Sequence, residues 1–220
     1  MGASGSFPID IVLFGMIAAF LVLRLRSILG KRQGFERAPE AATPLRPADA
    51  PRPTMEAAAE PAPVRTLPDP ATPVGQTLAR MQQTDPAFTP QNFLNGAEAA
   101  FRIIVTAFAA GDRVTLRSLL TDDTYQAFEG AISGRETAGE TQRTEIRAIP
   151  NATIEAADLQ DRHATVTVRF TSDQVNLTTG PTGTPVNGTD AVTEITDLWT
   201  FERELATPDP TWRLAAARSA

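Results

Sequence analysis

"TPQNFLNGAEAAFRIIVTAFAAGD", residues 89–112, carries the start and the stop of a helix within itself. Thr89 is an N-cap, Pro90 takes the first helical position, and Gly111 ends the run. Between them Phe93, Leu94, Ala97, Phe101, Ile104, Val105 and Phe108 recur at spacings of one, three and four. That spacing predicts one broad apolar face on a helix of about five turns. Such a face must be covered, and the flanking sequence supplies the cover. Asp112 caps a short second helix that buries Leu116, Leu119 and Leu120. Thr121 or Asp122 opens a third, with Tyr125, Phe128 and Ile132 on its inner side. Upstream, Val74 to Thr84 reads as a weak amphipathic turn or two carrying Leu78 and Met81.

After Gly139 the apolar period shortens from helical to alternating. "ATIEAADL" (152–159), "HATVTVRF" (163–170), "AVTEITDLWTFERE" (191–204) and "TWRLAAARS" (211–219) predict four strands. "GPTGTPVNG" (180–188), between the middle pair, reads as a surface loop. Three helices followed by antiparallel strands make an α+β fold: helices packed on a bent four-stranded sheet. Such a sheet wrapped over a long helix gives a cone with a cavity at its wide end.

Residues 38–74 hold ten Pro and ten Ala with no sustained period, so they read as an extended spacer without a core. Before the spacer, Ile11 to Leu23 is apolar apart from Gly15, and Ile11, Leu13, Phe14, Ile17, Phe20, Leu21 and Leu23 supply most of its bulk. No basic residue precedes this run; Arg24, Arg26, Lys31 and Arg32 follow it. A cleaved signal peptide has the opposite charge order. With Leu25, Ile28 and Leu29 continuing the face, residues 10–29 predict a single membrane-spanning anchor of about 30 Å, Arg24 and Arg26 snorkelling to the headgroups. An in-plane interfacial helix is the next reading. The positive-inside rule puts the N-terminus outside and the remainder in the cytoplasm. The organisation expected is a short tail (1–9), the anchor (10–29), a basic juxtamembrane segment with the spacer (30–74), and a folded domain (75–220).

Charge divides the chain. Residues 85–220 carry 19 acidic side chains against 11 Arg, a net charge of −8, so nucleic acid is not an expected partner. The basic cluster from Arg24 to Arg32 instead suits anionic lipid headgroups. With no Cys, one His and one Lys (Lys31), the domain has no thiol nucleophile, thiolate metal site, Schiff-base lysine or phosphate-binding P-loop. No catalytic residue, metal site or cofactor is expected. His163 falls on the solvent parity of its strand, opposite to Val166, Val168 and Phe170. Asp197 shares a face with Ile195 and Trp199, where Arg169 or Arg203 is its expected partner. Arg135 and Glu136 suit a solvated pair or helix-terminal contacts. Phe101, Val105, Phe108, Tyr125, Phe128, Trp199 and Phe201 are the candidates to line an apolar cavity that receives a chain or segment.

Four stretches carry a resemblance: "FLNGAEAAFRIIVTAFAAGDRVTLRSLLTDDTYQAFEGAI", "IRAIPNATIEAADLQDRHATVTVRFTSDQ", "DLWTFERE" and "PTWRLAAARS". Together they resemble the C-terminal domain of the mitochondrial inner-membrane translocase subunit forty-four family, in its membrane-anchored alphaproteobacterial form. The resemblance implies a cone of the nuclear-transport-factor-two type. It also implies a non-enzymatic adaptor at the bacterial inner membrane, serving protein translocation or membrane-protein assembly, with membrane or translocation proteins and a seventy-kilodalton chaperone as partners. In the mitochondrial protein a long charged region precedes the domain; here an apolar helix and a Pro/Ala spacer stand in its place. The same cone hosts isomerases and dehydratases, so a cavity enzyme or a lipid- or small-molecule-binding module is the alternative.

Overall fold

The computed structural model describes residues 63–220, so the anchor read at residues 10–29 and the basic segment after it lie outside the described residues. Each helix starts where a side chain accepts a hydrogen bond from a first-turn amide. Thr72 Oγ1 accepts from Gly75 N at 3.1 Å to open α1 (Pro73–Thr84), and Thr89 Oγ1 from Asn92 N at 3.1 Å to open α2 (Pro90–Ala110). Asp112 Oδ1 accepts from Thr115 N at 3.0 Å for α3 (Arg113–Leu119), and Thr121 caps α4 (Asp122–Thr137). Gly111, at φ +71°, terminates α2 in the left-handed conformation. The caps fall where the sequence puts them. One reading is corrected: α1 is a full helix of 12 residues, with Leu78 and Met81 in the core.

The sheet has five strands rather than four, in the order β1 (Val64–Thr66), β2 (Thr141–Gln160), β3 (His163–Thr179), β4 (Pro185–Glu204) and β5 (Arg213–Ser219). β1 runs parallel to β2 and the other pairs are antiparallel, so the sheet is mixed. β1 escapes sequence reading because three residues among prolines cannot display an alternation. It lies in the stretch read as spacer and is fastened by Arg65, which meets Glu98 of α2 at 2.5 Å and donates to Ile149 O at 3.2 Å.

β2, β3 and β4 are also longer than their alternation predicts. The register of β2 against β3 slips at Ile146/Ala148, Ala148/Asn151 and Ile154/Ala156, and Pro150 sits within one slip. Each slip moves the following side chains to the other face, so no single alternation spans the strand. The stretch 180–188 read as a loop is only partly one, since β4 already begins at Pro185. At the other end β5 begins at Arg213, which leaves Trp212 in the connecting loop.

All helices lie against one face. There β3 presents Ala164, Val166, Val168 and Phe170, each 0% exposed, in the predicted parity. α2 crosses this face with Phe101 stacked between Phe170 and Trp199, both ring centroids 4.6 Å away. Arg135 of α4 closes the far end of α2, donating to Phe108 O at 2.8 Å and to Ala109 O at 3.2 Å. Among the described residues α2 alone is long and apolar enough to cross a membrane, yet Phe93, Leu94, Phe101 and Ile104 on it are core.

Candidate functional site

The interior anticipated as an open apolar cavity is packed around its aromatics. Phe101, Val105, Phe128 and Trp199 are buried, and Phe108 lies edge-on to Phe128 at 5.1 Å. Tyr125 points elsewhere: Arg117 sits 4.7 Å above its ring, and both border a shallow surface with Arg113 and Val114. Tyr125 apart, only Phe201 of the seven candidates lines an opening, from beneath its aromatic wall.

That space is a groove of about 410 Å³ on the flank of α2. One wall is made of small residues, Gly96, Ala97, Ala99 and Ala100, extended by Ile103. They follow from the composition of α2, whose apolar residues cover more of its circumference than the sheet can bury. The other wall is aromatic: Phe88 and Trp212 lie 5.7 Å apart, Phe93 and Trp212 4.8 Å, and Phe93 and Phe201 6.1 Å. The sequence signals Phe93 through its helical period. Phe88 stands in a connecting segment, where no period singles it out; Trp212, read as part of the last strand, precedes that strand's observed start at Arg213.

Arg203 closes one end of the groove. Its Nη1 donates to Asp85 Oδ2 at 2.9 Å and its Nε to Asp209 O at 3.0 Å. Both members of the Arg203–Asp85 pair are largely buried, at 11% and 14% side-chain exposure. Asp209 in turn accepts from Thr211 N at 3.0 Å and meets Arg213 at 3.3 Å. Bonds from Thr211, then from Arg213, hold the Asp209 carboxyl below its ordinary pKa. One guanidinium thus ties the segment before α2, strand β4 and the loop bearing Trp212 into a single rim. A separate polar cleft of about 240 Å³ is lined by His163, Glu202, Arg203, Glu204, Thr207 and Asp209, and the register places Glu202 opposite Thr165 and Glu204 opposite His163, on the face of the sheet away from the helices. His163 is exposed as predicted and lies 3.6 Å from Glu202.

A second polar arrangement lies on the inner face of the sheet. Gln142 donates to Thr144 at 3.1 Å, Thr144 to Asn176 at 2.7 Å, Asn176 to Gln174 at 3.2 Å, and Gln174 to Ser172 at 2.7 Å. Arg135 donates to Gln142 at the outer end. Ser172, Gln174 and Asp197 are each 0% exposed. The partners expected for Asp197 are engaged elsewhere, Arg169 with Glu155 and Arg203 with Asp85. Glu136 pairs with Arg113 at 2.8 Å rather than with Arg135. Among the described residues no group of three metal-ligating side chains gathers.

The family model described as the Tim44-like domain matches residues 74–219. No curated protein matches the chain. Several solved structures are similar to it at low identity. The intermembrane space region of the chloroplast protein ARC6 is 12% identical, spans 61% of this chain and 98% of its own, and has a TM-score of 0.44. A conserved protein from Planctomyces limnophilus is 18% identical over 56% of this chain and 91% of its own, with a TM-score of 0.35. A ketosteroid isomerase-like protein from Erwinia carotovora atroseptica is 16% identical over 60% and 95%, with a TM-score of 0.31. These likenesses are too distant to carry function.

Proposed function

The chain belongs to the Tim44-like domain family, and from that premise we propose that it is a membrane-tethered, non-enzymatic adaptor that grips an apolar protein segment in the groove between α2 and Trp212. The observation that supports this most is the contrast between a filled aromatic interior and one apolar cleft left open beside it. Binding clefts are concave and mostly apolar, with a few fixed polar groups, and here Arg203 and Asp85 are those groups. In this reading residues 10–29 anchor the chain in the bacterial inner membrane, and Arg24 to Arg32 lie on anionic headgroups. The Pro/Ala spacer lets the domain range over on the order of 100 Å in the cytoplasm. The partner is a membrane or translocation protein, with a chaperone among the candidates, and the bent sheet over α2 is the cone of the nuclear-transport-factor-two type.

The test is cross-linking and purification from the protein's own membranes. Three samples are compared: full-length protein, a Gly96→Leu variant, and a control lacking residues 75–220. A Cβ on Gly96 would meet nothing within 4 Å, so the substitution fills the groove without crowding the core. Translocase, insertase or chaperone subunits present with full-length protein and lost with Gly96→Leu support the adaptor. A full-length sample carrying no specific protein sinks it.

Asp197 favours a second reading, since a carboxyl buried on the inner face of the sheet, opposite Phe170, is the kind of group that interior proton-transfer chemistry uses. A small molecule at a hundredfold its dissociation constant stabilises its target by about 2.7 kcal/mol. Such a ligand acting on the natural chain and not on Asp197→Asn would move the function from groove to interior.

A further inference from the structure

The sequence ahead of the described residues holds an occupant for the groove within the same chain. Between Ala41 and Met55 the only charged residues are Arg46, Asp49 and Arg52, each three positions from the next. Polyproline II has three residues per turn, so these three fall on one ridge of such a helix. The other two ridges are uncharged: Pro44, Pro47, Ala50 and Pro53 on one, Leu45, Ala48, Pro51 and Thr54 on the next. The stretch therefore reads as an amphipathic polyproline helix with two neutral faces to cover. Aromatic-lined grooves receive proline-rich segments, because a backbone already extended loses little freedom on docking. Here Phe88, Phe93 and Trp212 form one wall and the small Gly96 and Ala100 stand on the other. The two charges of the groove, Asp85 and Arg203, pair with each other at 2.9 Å, so the site is neutral and matches an uncharged ridge. The reach suffices. Val64 stands level with Asn151, Thr171 and Thr196 through three successive pairings, and Phe201 is five residues further along β4. That is about 14 Å across the sheet and about 17 Å along it. The stretch from Ala50 to Pro63 spans up to about 40 Å, enough to round α2, itself about 10 Å across.

We propose that residues 44–50 of the same chain bind in the groove, with Pro44, Pro47 and Ala50 against the aromatic wall and Arg46 and Asp49 turned to solvent. Because both members belong to one chain, the effective concentration is in the millimolar range, and a contact too weak to hold a free peptide suffices. The docked spacer competes with any partner segment for the same wall. With it docked, residues 30–43 alone tether the domain, about 43 Å at most. A partner that displaces the spacer releases the domain to its full range. The proposal needs the groove but not the adaptor reading.

The experiment uses the full chain, one copy per phosphatidylcholine nanodisc, with no other protein present. A photo-reactive residue replaces Ile103 on the groove wall or, as the control, Val186 at the far hairpin, and internal cross-links are mapped by mass spectrometry. The proposal predicts a cross-link from Ile103 to a peptide containing residues 44–50 and none from Val186. The double variant Pro47→Asp/Ala50→Asp, which lies outside the folded domain, lowers its yield at least about fivefold, since each change sets an unpaired charge against the apolar wall. Two changes on the charged ridge, Arg46→Gln and Asp49→Asn, leave the yield within about twofold, because those side chains face solvent. No such cross-link, an equal one from Val186, a yield unaffected by Pro47→Asp/Ala50→Asp, or an equal loss from the charged-ridge pair overturns the proposal. Whether a membrane protein binds the same groove is decided separately, by the purification from native membranes.

Discussion

Arg203 holds three pieces of chain at once: Asp85 ahead of α2, its own strand β4, and the backbone of Asp209 beside Trp212. Arg203→Met keeps the apolar stem, removes the fork, and leaves the Asp85 carboxylate largely buried with only Ala87 N to bond. Urea unfolding should show a loss of about 2 kcal/mol, between the cost of a neutral hydrogen bond and that of breaking a fully buried pair. Phe101→Ala, at the centre of the aromatic stack, should cost more, about 3–5 kcal/mol by the same measurement. Acid acts on a different set. Bonds from Thr115 lower the Asp112 pKa, and bonds from Arg113 and Arg143 lower those of Glu136 and Glu145; Asp209 is lowered as well. A carboxyl depressed on folding stabilises above its unfolded pKa of about 4 and loses that contribution as pH falls through the folded value. Thermal melts should therefore hold level near neutrality and fall once pH drops below about 4, and a protein more stable at pH 3 than at pH 6 contradicts this account.

At the level of elements, Thr89, Pro90, Gly111 and Asp112 announce the ends of α2 and α3 in the sequence itself, because capping depends on side chains a few residues away. Gly111→Ala should cost about 1–2 kcal/mol, since a Cβ is strained at φ +71°. Asp112→Ala should cost about 1 kcal/mol through loss of the α3 cap, read from denaturant midpoints. The strands were less legible for the opposite reason. Pairing is settled between distant segments, and the slips around Ala148 and Asn151 erase the alternation that would reveal β2. β1 exists because Arg65 finds Glu98 thirty-three residues away, a contact that no local pattern announces.

In the whole molecule, periodicity identifies most of the aromatic core, while the open groove is walled by aromatics of both kinds, Phe93 and Phe201 from periodic elements and Phe88 and Trp212 from the segments beside them. The sequence therefore tells what is buried more readily than what is left uncovered, because an opening is a property of how elements fail to meet. The sequence predicts one broad apolar face on α2, and the structure adds a second, smaller apolar strip of Gly96, Ala99, Ala100 and Ile103 that the sheet does not cover. What occupies the second face is the central question, and a photo-reactive residue can answer it. Placed at Ile103, 47% exposed on the groove wall, it is compared with one at Val186, 51% exposed at the far hairpin. In native membranes the account predicts a discrete protein adduct from Ile103 and none of that mass from Val186. The same adducts from both positions, or none from Ile103, would contradict it.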